Sequence, residues 1–392
     1  MKRIHIFLVT LLTALAGSAV APEVQLLTAA PGNNIYELEG HTALRIIHPR
    51  WGDFTVNWGV FDFDSPGFVY RFVKGETDYI AAAYPTERFV SSYARAGRAL
   101  SYQTLALDSL QAERLTALVM ENLQPENRVY RYNYVLDNCA TRPLDMIARS
   151  VGCPIELSAP SLPEASRSTF RNVMRHYHRN YPWYQFGIDL ALGSGIDRPL
   201  LADEPRFAPV VAREMVEEAK LPGGEQLVTR SGYLYGSDST PSVVAPPTHW
   251  TLTPLFWGWT VCALAFCVSV LQMRSRPKWG RIFDTMWFSL TGLTGLLLTF
   301  LIFVSVHEAT SPNWLYLWLN PLCFIGAVAP WLKRGKVLEI SYQSVNFALL
   351  IVLGGVFLAG VQSPNPTFIP LMLATGLRAV TNIMNPLCAK KR

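Results

Sequence analysis

Charged side chains are scarce in this sequence of 392 residues, at 16% against about 25% in a typical soluble domain. Half of the residues are hydrophobic, and the mean hydropathy is positive. This composition excludes a disordered chain, and it also excludes a single ordinary soluble globule. It indicates a membrane protein that carries a water-soluble part.

Residues 22–250 lack both a long apolar run and a basic cluster. They hold 21 Lys and Arg residues against 26 Asp and Glu residues, so the net charge of +5 comes from the rest of the chain. Nucleic-acid binding is therefore not expected, because it needs positive charge gathered on one face. The sequence also has no internal repeat and no long low-complexity segment.

Residues 1–21 have the composition of a secretory signal or an N-terminal anchor. A basic start precedes a short apolar stretch at residues 6–16, and Ala19-Val20-Ala21 fits the small-x-small cleavage pattern. Pro22 is a poor residue to cleave before, so earlier cleavage and retention as an anchor both stay open. The stretch has no cysteine, which excludes a lipoprotein signal.

Five apolar segments follow residue 250, and each is long enough to cross a hydrocarbon core of about 30 Å. Basic residues follow the first, third and fifth segments, whereas the other two loops have no Lys or Arg. The positive-inside rule places the basic loops in the cytoplasm and residue 250 on the outer face. Arg378 lies inside the fifth segment, where snorkelling and a polar contact within the bundle are both open. The predicted spans are residues 251–273, 283–306, 314–332, 344–361 and 368–388.

Strand-like and helix-like stretches alternate between residues 22 and 236, which predicts an α+β domain. Asp108 and Ser161 each have Gln or Glu three residues later, the capping-box pattern of a helix start. Residues 237–249, rich in Ser, Thr and Pro, predict a linker to the transmembrane domain at 250–392. Strands are predicted at 42–48, 54–60, 100–107 and 129–135, the first two as a hairpin, and helices at 86–96, 108–123, 139–151, 161–176 and 207–220.

Cysteines are rare in the soluble part, where only Cys139 and Cys153 occur. The predicted helix between them spans about 20 Å, too far for a disulfide, so Cys139 is predicted to be a free thiol. It follows a polar turn and opens the helix. Unpaired N–H groups and the helix dipole there favour the thiolate that a nucleophile needs, and they can stabilise an oxyanion. A buried, inert cysteine is the alternative.

A thiol nucleophile usually needs an imidazole. His41 is the strongest candidate, because it enters a predicted strand directly after a glycine, where backbone can approach closely. His48 stands at a strand end and His249 in the linker. The pair His176 and His178 is predicted to be solvated, and its spacing with no evident third ligand predicts no metal site.

Five stretches of the soluble part follow one another in a characteristic order. They are Y-E-L-E-G-H-T-A-L-R-I at 36–46, V-N-W-G-V-F-D-F at 56–63, F-V-K-G at 72–75, Y-R-Y-N-Y-V-L-D-N-C-A-T-R at 130–142 and W-Y-Q-F-G-I-D-L at 183–190. Together they resemble the N-terminal periplasmic domain of the Lnb family. The likeness covers about residues 30–235, and the multi-span C-terminus more loosely. The block around Cys139, with a histidine upstream, is also similar to circularly permuted papain-like thiol enzymes, including the lecithin:retinol acyltransferase group.

The resemblance implies a role for individual residues. Cys139 would be the nucleophile, and His41 would be the base and later the acid. Asn57, on the second strand of the predicted hairpin, is the first choice for the residue that orients the imidazole. Weaker choices for that role are Glu37, Glu39 and His48.

Three further residues are candidates for binding the substrate or the oxyanion. Arg45 falls on the same strand face as His41 and could hold a carboxylate, phosphate or ester oxygen, with a structural ion pair as the alternative. Asn138 and Tyr134 are candidates for the oxyanion site.

Lnb-type enzymes are lipoprotein N-acyltransferases, which move an acyl chain from the sn-2 ester of a diacylglyceryl-cysteine to its α-amino group. The resemblance therefore implies a multi-pass protein of the bacterial inner membrane, whose outer-face domain acts on a diacylated lipoprotein and contacts membrane lipid. Hydrolysis by the same pair, as a lipid esterase, thioesterase or cell-wall peptidase, stays open, because pocket shape decides between amine and water. A binding module without catalysis is the third alternative. No cofactor is expected, and the oligomeric state is not predicted.

Overall fold

The computed structural model describes residues 21–62, 64–274 and 277–389, with side chains described except at Pro277 and residues 385–389. All but the last residue of the predicted signal or anchor lies outside these ranges. The chain forms an N-terminal sheet domain, which is followed by a helical C-terminal region.

One antiparallel sheet is the frame of the N-terminal domain. Its strands are β1 (Glu23–Ala29), β2 (His41–His48), β3 (Gly52–Val60), β4 (Asp78–Pro85), β5 (Leu100–Leu105), β6 (Val129–Arg131) and β7 (Val228–Tyr235). Their order in space is β6-β4-β3-β2-β1-β5-β7. The predicted hairpin is confirmed as β2 and β3. Strand β1 was not predicted, because nearly all of its residues are buried and the sequence shows little alternation there.

Helices pack on both faces of the sheet. On one face, Leu44 of β2 belongs to a core with Leu115 and Ile147. On the other face, Ala43 lies in a smaller core with Phe89. The helices are α1 (Phe68–Lys74), α2 (Thr86–Arg95), α3 (Ser109–Asn122), α4 (Thr141–Val151), α5 (Glu164–Arg167), α6 (Phe170–His178), α7 (Pro182–Ala191) and α8 (Pro209–Glu217).

The two predicted capping boxes have different outcomes. The first is confirmed at the start of α3, where the Asp108 carboxylate accepts from the Gln111 N–H at 2.7 Å and the Gln111 side chain accepts in return. The second is wrong, because the Ser161 hydroxyl donates to Glu214 of α8. The helix predicted to start there is split into α5 and α6, and the Thr169 side chain caps α6.

The C-terminal region contains three helices that are long and apolar enough to cross a membrane, judged by length and composition in the described part of the chain. Its helices are α9 (Pro254–Met273), α10 (Pro277–Phe303), α11 (Cys323–Val328), α12 (Lys336–Leu358) and α13 (Phe368–Ala389). Helices α9 and α12 and residues Lys278–Phe303 of α10 meet both criteria, and Phe368–Met384 of α13 is a shorter apolar helix.

The third predicted span, residues 314–332, is not a continuous helix. It begins as a 3-10 turn at Trp314–Leu317 and continues as the six-residue α11. Pro321 disfavours helical backbone at Asn320, whose side-chain amide instead donates to a carbonyl of the preceding turn. The Asn320 backbone packs directly on Gly295 of α10. This segment therefore has the apolar composition of a membrane span without forming one continuous helix.

Arg378 makes a polar contact within the bundle rather than snorkelling. It is fully buried, and its guanidinium donates to both carboxylate oxygens of Asp284, at 2.7 and 2.8 Å. A buried ion pair of this kind needs its remaining donors and acceptors satisfied by neighbours. The neighbours that complete the cluster are Ser269, Gln272 and Asn382.

A buried carboxylate joins the sheet domain to the helical region. Asp189 of α7 accepts from Arg171 at 2.8 Å and lies 3.1 Å from Arg175, both of which are on α6. From the helical region, Asn365 in the loop before α13 donates to the same carboxylate at 2.8 Å. The two regions therefore meet across a charged, hydrogen-bonded junction rather than only through the connecting segment.

Candidate active site

A tight turn places Cys139 at the start of α4. The strand predicted at residues 129–135 ends early, at Arg131, because Asn133 and Asp137 exchange backbone hydrogen bonds at 3.0 Å. Cys139 then lies two residues before the first residue of α4 and is 8% exposed. Both Cys139 and Cys153 are free thiols.

Asn138 holds this turn in place through its side chain. Its Oδ1 accepts from the backbone N–H groups of Ala140 and Thr141, at 2.8 and 3.0 Å. Its Nδ2 donates to the carbonyl oxygens of Tyr134 and Phe207, at 2.7 and 2.8 Å. The side chain that was predicted to line the oxyanion site is therefore committed to capping α4 and to tying the turn to the segment before α8.

Cys139 contacts the sheet at the point where the pairing of β2 with β3 ends. Their paired register ends at Ala43 and Asn57, and β3 is irregular beyond that point. The backbone of Thr42 and that of Cys139 itself lie close enough to the Sγ atom to lower the pKa of the thiol. Gly59 of β3 has φ +91°, and a Cβ there would lie 3.8 Å from the Cβ of Cys139. The positive φ favours glycine at this position, and Cys139 packs beside it at an ordinary contact distance.

His41 begins β2 next to this contact, and Asn57 orients its ring. The Nε2 of His41 lies 2.5 Å from the Oδ1 of Asn57. Because an amide oxygen only accepts, Nε2 carries the proton and Nδ1 keeps a lone pair. Burial lowers the pKa of His41 to about 4, although the bond to Asn57 acts in the opposite direction. The imidazole is therefore neutral near pH 7 and available as a base.

The expected stabilisation of the thiolate is wrong for this conformation. The pKa of Cys139 is raised to about 11, mainly by burial and to a smaller extent by the nearby carboxyl of Glu39. The bonds from the backbone of Thr42 and from the Tyr132 hydroxyl act the other way without reversing the shift. A position beside a helix start does not lower a thiol pKa when water is removed from it as well. The resting site holds a neutral thiol and a neutral imidazole.

The other three candidates for the orienting residue have different partners. Glu37 pairs with Arg98 at 2.7 Å. His48 lies at the opposite end of β2 and stacks on Trp51. Glu39 is buried between the thiol turn and α6, and burial raises its pKa to about 7.

Glu39 also faces a buried histidine. The Nε2 of His178 lies 3.6 Å from the Oε1 of Glu39, and both atoms are buried without a hydrogen-bond partner among the described residues. His178 is 1% exposed and bonds to Gln185 at 2.9 Å through Nδ1. The prediction that His178 is solvated is therefore wrong, since α7 covers it.

Arg45 lies on the same face of β2 as His41, as alternation predicts, but four residues further along the strand. It pairs with Asp53 and donates to the Oε1 of Gln25 at 3.0 Å. Four residues of strand are about 13 Å, so Arg45 does not reach the ring of His41. Arg45 therefore makes a structural ion pair, which was the alternative to substrate binding.

Two residues near the thiol were missed by the sequence reasoning. The Tyr132 hydroxyl reaches the Cys139 thiol, and its residue lies inside a stretch that already carried the resemblance. Arg98 is buried beside Glu37, and its charge contributes to lowering the pKa of His41. Its Nη2 is buried with no hydrogen-bond partner. Nothing local in the sequence marks Arg98, because its position follows from packing over the ring of Tyr93.

Two other features of the described residues bear on the chemistry. No group of three His, Cys, Asp or Glu side chains in those residues could hold a metal ion. A cavity of about 550 Å³ lies beside α3 and α4, lined by Arg114, Asp145, Arg149 and Cys153 among others, and neither Cys139 nor His41 lines it.

Two family models match the chain. The model of the Lnb N-terminal periplasmic domain matches residues 18–175, which include Cys139, His41 and Asn57. The model of the Lnb transmembrane domain matches residues 247–390. No curated protein matches the chain, and no solved structure matches it.

Proposed function

This chain belongs to the Lnb-type family, and from that premise we propose that it is a lipoprotein N-acyltransferase. It moves an acyl chain from the sn-2 ester of a diacylglyceryl-cysteine to the α-amino group of the same cysteine. The observation that supports the proposal most directly is the site itself. A buried thiol contacts the first residues of β2, which begins with an imidazole bonded to Asn57.

The first half of the reaction makes a thioester. As the Sγ of Cys139 attacks the ester carbonyl carbon, the thiol proton passes to the Nδ1 of His41. The backbone N–H groups of Thr42 and Cys139 are placed to donate to the oxyanion that develops. The bond to the glyceryl oxygen then breaks, and His41 gives that oxygen its proton.

The second half transfers the acyl group to nitrogen. The α-amino group attacks the thioester carbonyl and gives a proton to His41, and the C–S bond breaks. The thiolate that leaves takes the proton back from the imidazolium, so the site returns to its neutral state. Asn57 keeps the ring in one tautomer through both halves, which is the role of the third residue in Cys–His enzymes.

A neutral resting pair suits this sequence of steps. The raised pKa of Cys139 and the lowered pKa of His41 mean that no charge is buried before the substrate arrives. Proton transfer is then coupled to attack on the ester, and charge exists mainly in the transition state, where the N–H donors stabilise it.

We extend the proposal to the architecture. The sheet domain, residues 22–236, has the permuted papain-like order, with the His strand before the Cys helix. Residues 237–249 are the linker, and residues 250–392 form a multi-pass bundle with five membrane segments in the inner membrane, including the broken segment around α11. The carboxylate junction at Asp189 supports a site held at a fixed height above the bilayer.

The test is tandem mass spectrometry of a synthetic diacylglyceryl lipopeptide after incubation with purified protein. Intramolecular transfer leaves the total mass unchanged but moves one acyl chain to the N-terminal fragment. We expect this product with the wild type and with Cys153→Ala, the matched control, and not with Cys139→Ala. Loss of an acyl chain to water would identify a hydrolase instead. An untouched lipopeptide would remove the lipid substrate from the proposal.

A further inference from the structure

Helix α1 presents large apolar side chains to its surroundings. Val69, Tyr70 and Phe72 are 72%, 57% and 47% exposed, and no residue of α1 is buried. A soluble domain does not usually leave such a helix in water, since each square ångström of exposed apolar surface costs roughly 25 cal/mol. The exposed face indicates that α1 has a partner outside the chain.

Helix α1 lies against the outer end of a predicted span. Where α10 ends, the Ser305 hydroxyl and the Val306 N–H donate to the carbonyl oxygens of Val73 and Lys74, both at 2.9 Å. Within the span, the ring of Phe300 lies 5.9 Å from the ring of Tyr70. Helix α1 is therefore at the depth where α10 leaves the hydrocarbon.

The lipid bilayer is the partner that this position favours. Phe303, the last residue of α10, is 68% exposed, and Val306, three residues after the helix, is 59% exposed, so the apolar face of α1 continues the lipid-facing surface of the span. Aromatic side chains at this level are typical of the membrane interface. A short helix with its apolar face in the leaflet and its polar face toward the domain is an interfacial helix.

An aromatic path connects α1 with the thiol. The ring of Phe72 stacks on Phe68 at 5.9 Å, and Phe68 stacks on Phe61 at 5.8 Å. From Phe61 the path continues to Tyr79 at 5.0 Å and to Tyr132 at 4.3 Å from Tyr79. Tyr132 and Cys139 both lie against Gly59, where an added Cβ would be 3.7 Å from the Tyr132 ring and 3.8 Å from the Cβ of Cys139.

Beside this path the surface of the domain is also apolar. Ile35 and Tyr36 are both more than half exposed, in the loop between β1 and β2, and the ring of Tyr36 lies 6.3 Å from Phe61. Exposed apolar side chains are therefore present at both ends of the path, on α1 and on the loop that leads to His41.

We propose that α1 lies in the outer leaflet of the membrane and that the aromatic path guides the acyl chain of a membrane-anchored substrate from the leaflet to Cys139. The guidance of a substrate rests on the proposed acyl transfer, whereas the membrane contact of α1 does not. An acyl chain needs a route of this kind, since its ester must leave the leaflet to reach a thiol in the sheet domain.

The first experiment tests the membrane contact without any activity. A photoreactive benzoylphenylalanine replaces Val69, or Leu110 as the matched control, which is 78% exposed on α3. The protein is placed in vesicles of phosphatidylethanolamine and phosphatidylglycerol at 3:1, irradiated and analysed by mass spectrometry. We expect lipid adducts at position 69 at least ten times as often as at position 110. Equal labelling would overturn the proposal, and so would chain-to-chain adducts at position 69, which would identify a second copy as the partner.

The second experiment follows the acyl chain. A diacyl lipopeptide with a diazirine at the end of its sn-2 chain is irradiated with the Cys139→Ala protein in the same vesicles. We expect label on the path residues Phe61, Phe68 and Tyr79. Label confined to the cavity beside α3 and α4 would overturn the route.

The third experiment compares two substrates of the full-length protein. We expect Val69→Asp to lower turnover of the long-chain lipopeptide in vesicles about tenfold and to leave a water-soluble dibutyryl lipopeptide unchanged. Leu110→Asp should change neither rate. Equal rates for wild type and Val69→Asp on both substrates, or an equal loss on both, would contradict the proposal. If the wild type acts on neither substrate, the proposed reaction fails, and the labelling at position 69 still decides the membrane contact.

Discussion

At the scale of single residues, the chemistry of the candidate site depends on the protonation states of Cys139 and His41. The Cys139 thiol is kept neutral by burial, and the imidazole of His41 is kept neutral for the same reason. Each group alone would titrate nearer to neutral pH, so the low-dielectric surroundings separate the two pKa values. The thiol then depends on a positioned base for its reactivity.

The first prediction concerns alkylation of Cys139. With its pKa raised to about 11, the thiol should react with iodoacetamide about 100-fold more slowly than a model thiol at pH 8, because little thiolate is present. The rate should keep rising with pH up to about 11. The measurement is peptide mass spectrometry in a Cys153→Ala background. Fast alkylation near pH 7 would instead indicate a preformed thiolate–imidazolium pair.

The second prediction concerns Asn57. Asn57→Ala removes the hydrogen bond between the amide oxygen of Asn57 and the His41 ring, so the imidazole can turn away from the thiol. We expect kcat for acyl transfer to fall about 100-fold with little change in KM, since orientation and not binding is lost. Steady-state kinetics measures the split. Asn172→Ala on α6 is the control, and an equal fall in that variant would argue against a specific role for Asn57.

At the scale of elements, local sequence patterns predicted what local interactions decide. The hairpin of β2 and β3 and the capping box at Asp108 depend on residues a few positions apart, and both were predicted. Ser161 has the same capping pattern, but Glu214 reaches it from 53 residues away, and no local pattern shows that competition. The same reasoning covers the site. Cys139, His41 and Asn57 were named from motifs, whereas Arg98 comes from packing at long sequence separation.

The third prediction concerns Gly295, where α10 and the broken segment meet. A Cβ at this position would lie 2.4 Å from the backbone of Asn320, which cannot move aside as a side chain can. Gly295→Ala should therefore lower the free energy of unfolding by about 1–3 kcal/mol. The measurement is the thermal unfolding midpoint of purified protein. Gly354→Ala on α12 is the matched control, because nothing lies within 4 Å of its added Cβ, and we expect no loss there. Equal unfolding midpoints for Gly295→Ala and Gly354→Ala would show that α10 and the broken segment can move apart at little cost in stability.

At the scale of the whole molecule, the junction between the sheet domain and the helical region decides where the site stands relative to the bilayer. Its centre is Asp189, which is fully buried with Arg171. A residue of the loop before α13 donates to the same carboxylate. Buried charges tolerate little change of geometry. We therefore expect the sheet domain and the helical region to move together at this junction.

The fourth prediction concerns this junction. Asp189→Ala leaves the buried guanidinium of Arg171 without one of its two carboxylates, and we expect a loss of about 3–5 kcal/mol in the free energy of unfolding. Thermal unfolding and protease sensitivity measure it. Asp203→Ala removes an exposed carboxylate and serves as the control. An unchanged midpoint in Asp189→Ala would mean that this carboxylate is not needed to hold the two regions together.

The neutral state of the Cys139 thiol also affects how readily it is oxidised outside the cytoplasm. Disulfide-forming enzymes of that compartment react with thiolates, and at pH 7 about one in ten thousand Cys139 side chains would be ionised. Cys139 is therefore held in a form with which oxidants react slowly. In the acyl transfer that we propose, protection against oxidation and reactivity toward the ester have one physical origin, because the thiol gives its proton to His41 only during attack on the substrate.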